Sequence, residues 1–349
     1  MNMVHPTLKS ILLALAMLIA AWPSVPSAGK DKDEWAVKGR LLGEDGDKSK
    51  DVSGIACTTD KGFPRTCLVI DDNVQFAQAV TLSDGRLDVG DIISLIQDKW
   101  KDKALELDGE GVAYSSGNFY VIGSHGHPRD KKHKLDPVKD AEQIAAKIAA
   151  SSKLVRVRVD PASGAIAPRG AADVTVTPKL RELIAAEPAL AGFMDQRLDN
   201  NGVTVEGIAI QGDRLFVGFR GPFLKDGIAP VLSVSLGFFF DGKPADAKLH
   251  RLPLGTENGV RDLAVTGSGL LVLAGPSPDV VGLYSIYSWD GASDTVKLLQ
   301  DLPEIQDDGE PVKPEAILPL DSDPTGLRVL IMSDGAKEGG PRELRIPNP

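Results

Sequence analysis

Two kinds of apolar segment alternate along most of the chain. One is short and built of small residues, as in Gly54-Ile-Ala56, Gly111-Val-Ala113 and Gly207-Ile-Ala209. The other is a longer, nearly unbroken apolar run, as in Cys67-Leu-Val-Ile70, Leu215-Phe-Val-Gly-Phe219 and Leu270-Leu-Val-Leu-Ala274. The first suits a crowded inner strand and the second a strand buried on both faces. Each adjacent pair therefore predicts an antiparallel hairpin. Five such hairpins begin near Ser53, Glu110, Glu206, Asp262 and Glu315. Between Gly54, Gly111, Gly207, Asp262 and Ala316 the intervals are 57, 96, 55 and 54 residues. Two further strands follow the third hairpin (231–235 and 248–252) and the fourth (283–288 and 295–299). Four strands per unit at this period predict an all-β fold, a β-propeller of five blades of four strands. A six-bladed ring is the alternative, with a degenerate blade inside the long interval.

That interval carries a helical insertion in the second blade, about 128–153. Asp136 is placed to cap its helix, with Pro137 at the first position. A second helical stretch, about 178–197, is interrupted at Pro188. A separate helical subdomain is the alternative reading. The last unit has a third strand, Arg342-Glu-Leu-Arg-Ile346. The segment 35–42 is placed to supply its fourth and close the ring.

The first 28 residues read as a secretory signal peptide. Lys9 gives a positive start, an apolar run from Ile11 to Trp22 follows, and cleavage fits after Ser27 or Ala28. An uncleaved membrane anchor is the alternative. The remaining residues, 29–349, are assigned to one propeller domain. No stable membrane span is expected after cleavage, and the expected location is periplasmic or secreted. The formal net charge of -10 argues against a nucleic-acid partner. The two cysteines, Cys57 and Cys67, sit one per strand in the first hairpin, and after an export signal they favour a disulfide over two buried thiols.

In an antiparallel hairpin the start of one strand lies beside the end of the next. One face of the ring therefore gathers Ser53, Glu110, Glu206 and Glu315, with Asp71, Asp72, His125, Arg220 and Asp334 near them. The fourth unit places either Arg261 or Asp262 at the Glu206 position, and the apolar match favours Arg261. Glu110, Glu206 and Glu315 are the candidate ligands of a hard cation such as Ca²⁺. Glu110, Arg220, Arg261, Glu315, Asp72 and Asp334 are the candidate contacts of a small polar or anionic ligand. His125, with Glu206, is the candidate for proton transfer. A buried ion-pair network that holds the channel is the competing explanation. His125, His127 and His133 also cluster, without a diagnostic metal spacing. The chain has no G-x-S-x-G elbow, H-E-x-x-H pair or phosphate-binding P-loop.

Asp108-Gly-Glu-Gly-Val-Ala113, Phe119-Tyr-Val-Ile-Gly-Ser-His125, Val205-Glu-Gly-Ile-Ala209 and Gly218-Phe-Arg-Gly-Pro222 resemble the bacterial family catalogued as domain of unknown function 3616. The resemblance covers most of the chain beyond the signal peptide. It implies a propeller and no reaction. The Glu-Gly-Ile-Ala hairpin is also similar, more loosely, to the esterase-like phytase propellers. Three functions remain open: binding of a polar ligand or cation at the channel mouth, metal-assisted ester or phosphoester hydrolysis, and a protein-interaction scaffold.

Overall fold

The computed structural model describes Met1, residues 33–129 and residues 135–349. The signal-peptide segment and His133 lie outside the described residues. Five sheets carry the hairpins read from the sequence. The first blade runs Val52–Cys57, Arg65–Asp71, Phe76–Ser83 and Arg86–Ser94. The second runs Gly109–Ser115, Asn118–Gly123, Leu154–Arg158 and Val174–Thr177. The third is Thr204–Gln211, Arg214–Gly221, Ile228–Ser235 and Lys248–Pro253. The fourth is Asn258–Thr266, Gly269–Pro276, Ser285–Trp289 and Val296–Asp301. The fifth has three strands, Lys313–Asp323, Gly326–Asp334 and Arg342–Ile346. Within every blade neighbouring strands are antiparallel and consecutive in sequence.

The blades close on themselves. Inner strands of successive blades touch all the way round, and that of the fifth touches that of the first. One hydrophobic cluster fills each of the five interfaces. Between the first and second blades, for example, Leu68 and Ile70 pack with Val112, Phe119 and Val155. A five-bladed ring, rather than six, accounts for every cluster. Residues 33–349 form one compact unit. No described helix is long and apolar enough to cross a membrane.

Three details differ from the sequence expectation. Asp136 caps a turn rather than the helix: its carboxylate accepts the Val138 and Lys139 amides, both at 2.9 Å, and the helix begins later, spanning Ala141–Ser151. The second helical stretch is an α-helix over Lys179–Ala186, ending just before Pro188, then a 3-10 turn at Ala191–Phe193, and Leu180 and Ile184 join the core between the second and third blades. The N-terminal segment does not supply a full fourth strand to the last blade. Glu34 bridges to Arg342, and the Trp35 amide donates to Pro341 O at 2.8 Å. Ala36–Lys38 then crosses the seam and pairs in parallel with Arg86–Asp88 of the first blade. Cys57 and Cys67 face each other across the first hairpin and form the expected disulfide.

The inner strands meet where the sequence has its small residues. A Cβ added to Gly54 would lie 3.0 Å from Gly111 Cα, and one added to Gly111 would lie 2.9 Å from Glu206 O. One added to Gly207 would lie 2.5 Å from Asp262 Cα. Backbone cannot step aside as a flexible side chain can, so these positions exclude side chains. Gly207→Ala is therefore expected to cost about 3 kcal/mol or to prevent folding, at the upper end for overpacking. Gly192→Ala, with nothing within 4 Å of the added carbon, is the control expected to be near neutral. Urea denaturation of both variants checks the pair.

Candidate functional site

Each inner strand carries a register shift at the same repeat position. The shifts fall between Val52 and Gly54, Gly109 and Gly111, Val205 and Gly207, Val260 and Asp262, and Pro314 and Ala316. The unmatched residues are Ser53, Glu110, Glu206, Arg261 and Glu315. A β-bulge turns its extra residue out of the ordinary alternation, which re-aims these five side chains. The register also settles the fourth blade: Arg261 holds the ring position, and Asp262 stands where its neighbours have glycine. All five ring residues are buried, with Arg261 at 0% exposure.

The same register defines two further sets. Asp72, Ser124, Arg220, Gly275 and Asp334 occupy one equivalent position after the second strand's apolar run. Asp51, Asp108, Thr204, Gly259 and Lys313 lie two residues before the bulge in each blade. The two glycines belong to the fourth blade, where the neighbourhood leaves no room. A Cβ on Gly259 would lie 2.1 Å from Arg220 O, and one on Gly275 would lie 2.4 Å from the Tyr284 ring. Eight of these ten residues, all but the two glycines, line one cavity of about 440 Å³ together with Ser53, Glu110, Glu206 and Glu315. The insertion forms part of its wall through Arg129, Lys147 and Ser151.

On the side of the third, fourth and fifth blades the charges neutralise one another. Glu206 takes Arg220 Nη1 at 3.1 Å and lies 3.7 Å from Arg261 Nη2. Arg261 donates from Nε to Glu315 at 2.8 Å and makes a second, very close contact with the same carboxylate. Burial alone would raise the Glu206 carboxyl, but Arg261 and Arg220 outweigh it and hold it below its ordinary value. Arg220 also donates to Ser277 O at 2.8 Å. Lys313 spans Asp279 at 2.5 Å and Asp334 at 3.3 Å. Deeper in, Asp262 accepts the Leu263 and Ile317 amides, both at 2.8 Å, and so ties the fourth blade to the fifth. Burial raises that carboxyl well above the ordinary range.

The first and second blades are different. They bring Asp51, Asp72, Asp108 and Glu110 to the cavity without a paired cation among the described residues. One oxygen each from Asp72, Asp108 and Glu110 lies within 4.8 Å of the other two. Glu110 is 4% exposed and lines the cavity. Asp72 Oδ1 is buried and has no hydrogen-bond partner among the described residues. Burial, then Glu206 and Asp108, raises Glu110 well above its ordinary value. Burial, then Asp108 and Asp51, does the same to Asp72. Asp108 accepts the Ser124 hydroxyl, yet burial still raises it. Burial and the facing Asp334 raise Asp51.

The structure thus gathers Asp72, Glu110, Glu206, Arg220, Glu315 and Asp334 at one mouth, with Arg261 beneath. It does not gather the three glutamates into one cation cage, because Arg261 stands between Glu206 and Glu315. His125 does not reach the mouth. Its ring is fully buried, neither ring nitrogen has a partner among the described residues, and burial followed by Arg181 drives it down to about 3. The reason is a one-residue offset: Ser124, not His125, holds the position of Arg220, while His125, just past the strand that ends at Gly123, has a φ of 54° and its amide donates to Ser151 O at 3.2 Å. His127 lines the cavity in its place. Asp51, Asp108, Asp279 and Lys313 line the cavity although the sequence pattern did not single them out. The signal for Asp51 and Asp108 is readable in Asp51-Val-Ser-Gly54, Asp108-Gly-Glu-Gly111 and Thr204-Val-Glu-Gly207, once the repeat is aligned two residues upstream.

Arg261 is the member on which the paired side depends. Arg261→Met leaves Glu315 buried without its guanidinium and is expected to cost about 3–5 kcal/mol near neutral pH. In the parent protein Glu206 contributes stability above its unfolded pKa and loses it as pH falls through its lower folded value. The deficit of the variant should therefore shrink on acidification, which denaturation at two pH values measures.

No curated protein sequence is significantly similar to the chain. Among solved structures, an exo-β-1,3-galactanase from Clostridium thermocellum overlaps at a TM-score of 0.46 and 10% identity, covering 88% of this chain and 61% of that one. The chain therefore spans less than two thirds of that protein. An endo-arabinanase from Bacillus licheniformis overlaps at 0.35 and 11%, over 89% and 95% of the two chains. Hydrazine synthase from Kuenenia stuttgartiensis overlaps at 0.36 and 12%, over 88% and 68%. At these scores the likenesses carry no inference about chemistry. The sequence itself matches one family model over residues 66–338. That match bears on the first of the two resemblances and leaves the phytase likeness where the repeat alone put it. With its paired ring signatures inside the matched region, the chain belongs to the family of proteins of unknown function designated DUF3616.

Proposed function

We propose that the propeller mouth binds a hard divalent cation, Ca²⁺ by its ligand chemistry, on Asp72, Asp108 and Glu110. The observation that carries this reading is Asp72 Oδ1, buried and without a hydrogen-bond partner among the described residues, in a group whose Asp72, Asp108 and Glu110 oxygens lie within 4.8 Å of one another. A buried carboxylate oxygen without a hydrogen bond or a salt bridge is costly, and a cation bound among three carboxylates removes the cost. Oxygen-only ligands suit Ca²⁺ better than a softer metal. The site replaces the trio Glu110, Glu206 and Glu315, because the last two are already held by arginines. The hydrolase reading loses support with His125, whose buried ring has no access to the cavity. Export belongs to the same proposal: the Cys57–Cys67 disulfide suits an oxidising compartment.

The raised carboxyls give the test a sign. A carboxyl whose folded pKa is raised weakens the fold as pH climbs from about 4 through that raised value. Without Ca²⁺ the protein should lose stability over that interval. Ca²⁺ should raise the melting temperature more at a pH of about 7.5 than at about 5, because protons compete for the same oxygens. Glu110→Gln should melt higher than the parent in chelator and lose the Ca²⁺-induced rise. Calorimetric titration showing no Ca²⁺ binding at either pH would remove the proposal. Mass spectrometry of the exported protein should give an N-terminus following Ser27 or Ala28, and retention of Lys9 would contradict export by cleavage.

A further inference from the structure

The cavity is far larger than one ion. At about 440 Å³ it lies in the range of small-molecule sites, roughly 300–1,000 Å³. Its described lining has nine carboxylates against four cationic side chains, and no phenyl, indole or branched aliphatic side chain. An apolar ligand finds no surface there. An anionic ligand meets an excess of negative charge, and each of the four basic groups already faces a carboxylate, Arg129 lying 4.0 Å from Asp279. Arg220 holds Glu206 and Ser277 O, and Lys313 holds Asp279 and Asp334. Lys147 holds Glu106 at 3.0 Å.

From this we infer that the mouth takes an uncharged, hydroxyl-rich ligand, a polyol or sugar, that completes the shell of the bound cation. The inference rests on the cation reading above. Three carboxylates supply between three and six oxygens, whereas Ca²⁺ takes about six to eight. A cation held by these three would still need neutral oxygen donors, which adjacent hydroxyls of a ligand in the cavity would provide. The same hydroxyls donate hydrogen bonds to carboxylates, and carboxylates dominate the wall. Ser53, Asn73 and Thr204 add neutral polar partners at the rim. An organic amine fits less well. It brings no oxygen to the cation and competes with it for Glu110. The site therefore favours a ligand whose binding requires the cation and whose charge is zero.

The test uses the full exported chain in two titration steps. Ca²⁺ alone is titrated first. The Ca²⁺-loaded protein is then titrated separately with sorbitol, myo-inositol, methyl galactoside, glucose 6-phosphate and spermidine. The expected result is heat from at least one neutral probe, lost in chelator and at least tenfold weaker in Glu110→Gln. Folding of that variant is verified by its melting in chelator. Tighter binding of glucose 6-phosphate or of spermidine overturns the inference, as does neutral-probe binding of equal strength in chelator. If Ca²⁺ binds and no neutral probe does, this inference fails and the cation site stands. If Ca²⁺ does not bind in the first step, both fail.

Discussion

Five inner strands converging on one axis impose the constraint from which the rest follows. At the point of closest approach, Gly54, Gly111 and Gly207 bring backbone against backbone, and Ala316 is the largest apolar residue admitted. A regular strand cannot both come this close and keep its alternation. Each one therefore bulges immediately before the contact, and the bulged residue turns toward the mouth. The polar ring is thus a by-product of close packing that the chain has filled with chemistry. Asp262 is the exception that clarifies the rule. It occupies a glycine position only because its carboxylate finds two backbone amides, one in the next blade.

The charge pattern around the mouth is unequal. The third to fifth blades spend their carboxylates on arginine and lysine, and that half is held together by the pairs. The first and second blades present carboxylates that lack such partners. Symmetry of the backbone therefore coexists with asymmetry of electrostatics. The half without paired cations is where the proposed cation would lower the free energy, opposite the half held by ion pairs.

Much of this was legible in the sequence because a repeat multiplies weak signals. Glu206 alone is one charged residue. Aligned with Ser53, Glu110, Arg261 and Glu315, it is a ring position, and both the five blades and the mouth follow. What stayed hidden depends on a single residue of register. His125 and Ser124 are adjacent, and the backbone path just past the strand end at Gly123 decides that Ser124 faces the cavity. Likewise, composition could not say that Glu206 and Glu315 would share Arg261 while Glu110 would not. That outcome follows from the one blade carrying arginine at the ring. The N-terminal segment was misplaced for a related reason. A parallel fifth strand on the first blade and a single bridge to the last use the same hydrophobic residues as a full closing strand would.

That segment has a consequence for how the molecule comes together. Strands at one end of the ring sequence must meet strands at the other: the Trp35 indole donates to Glu343, Leu41 N donates to Glu338, and Asp51 bridges to Asp334. Those contacts join the first and fifth blades, so they can form only after the blades between them have been made. Until then, the side chains of the first blade that the fifth will cover stay open to solvent, and the acidic mouth has no far wall. Closure of the ring therefore assembles the mouth only once the last blade is in place.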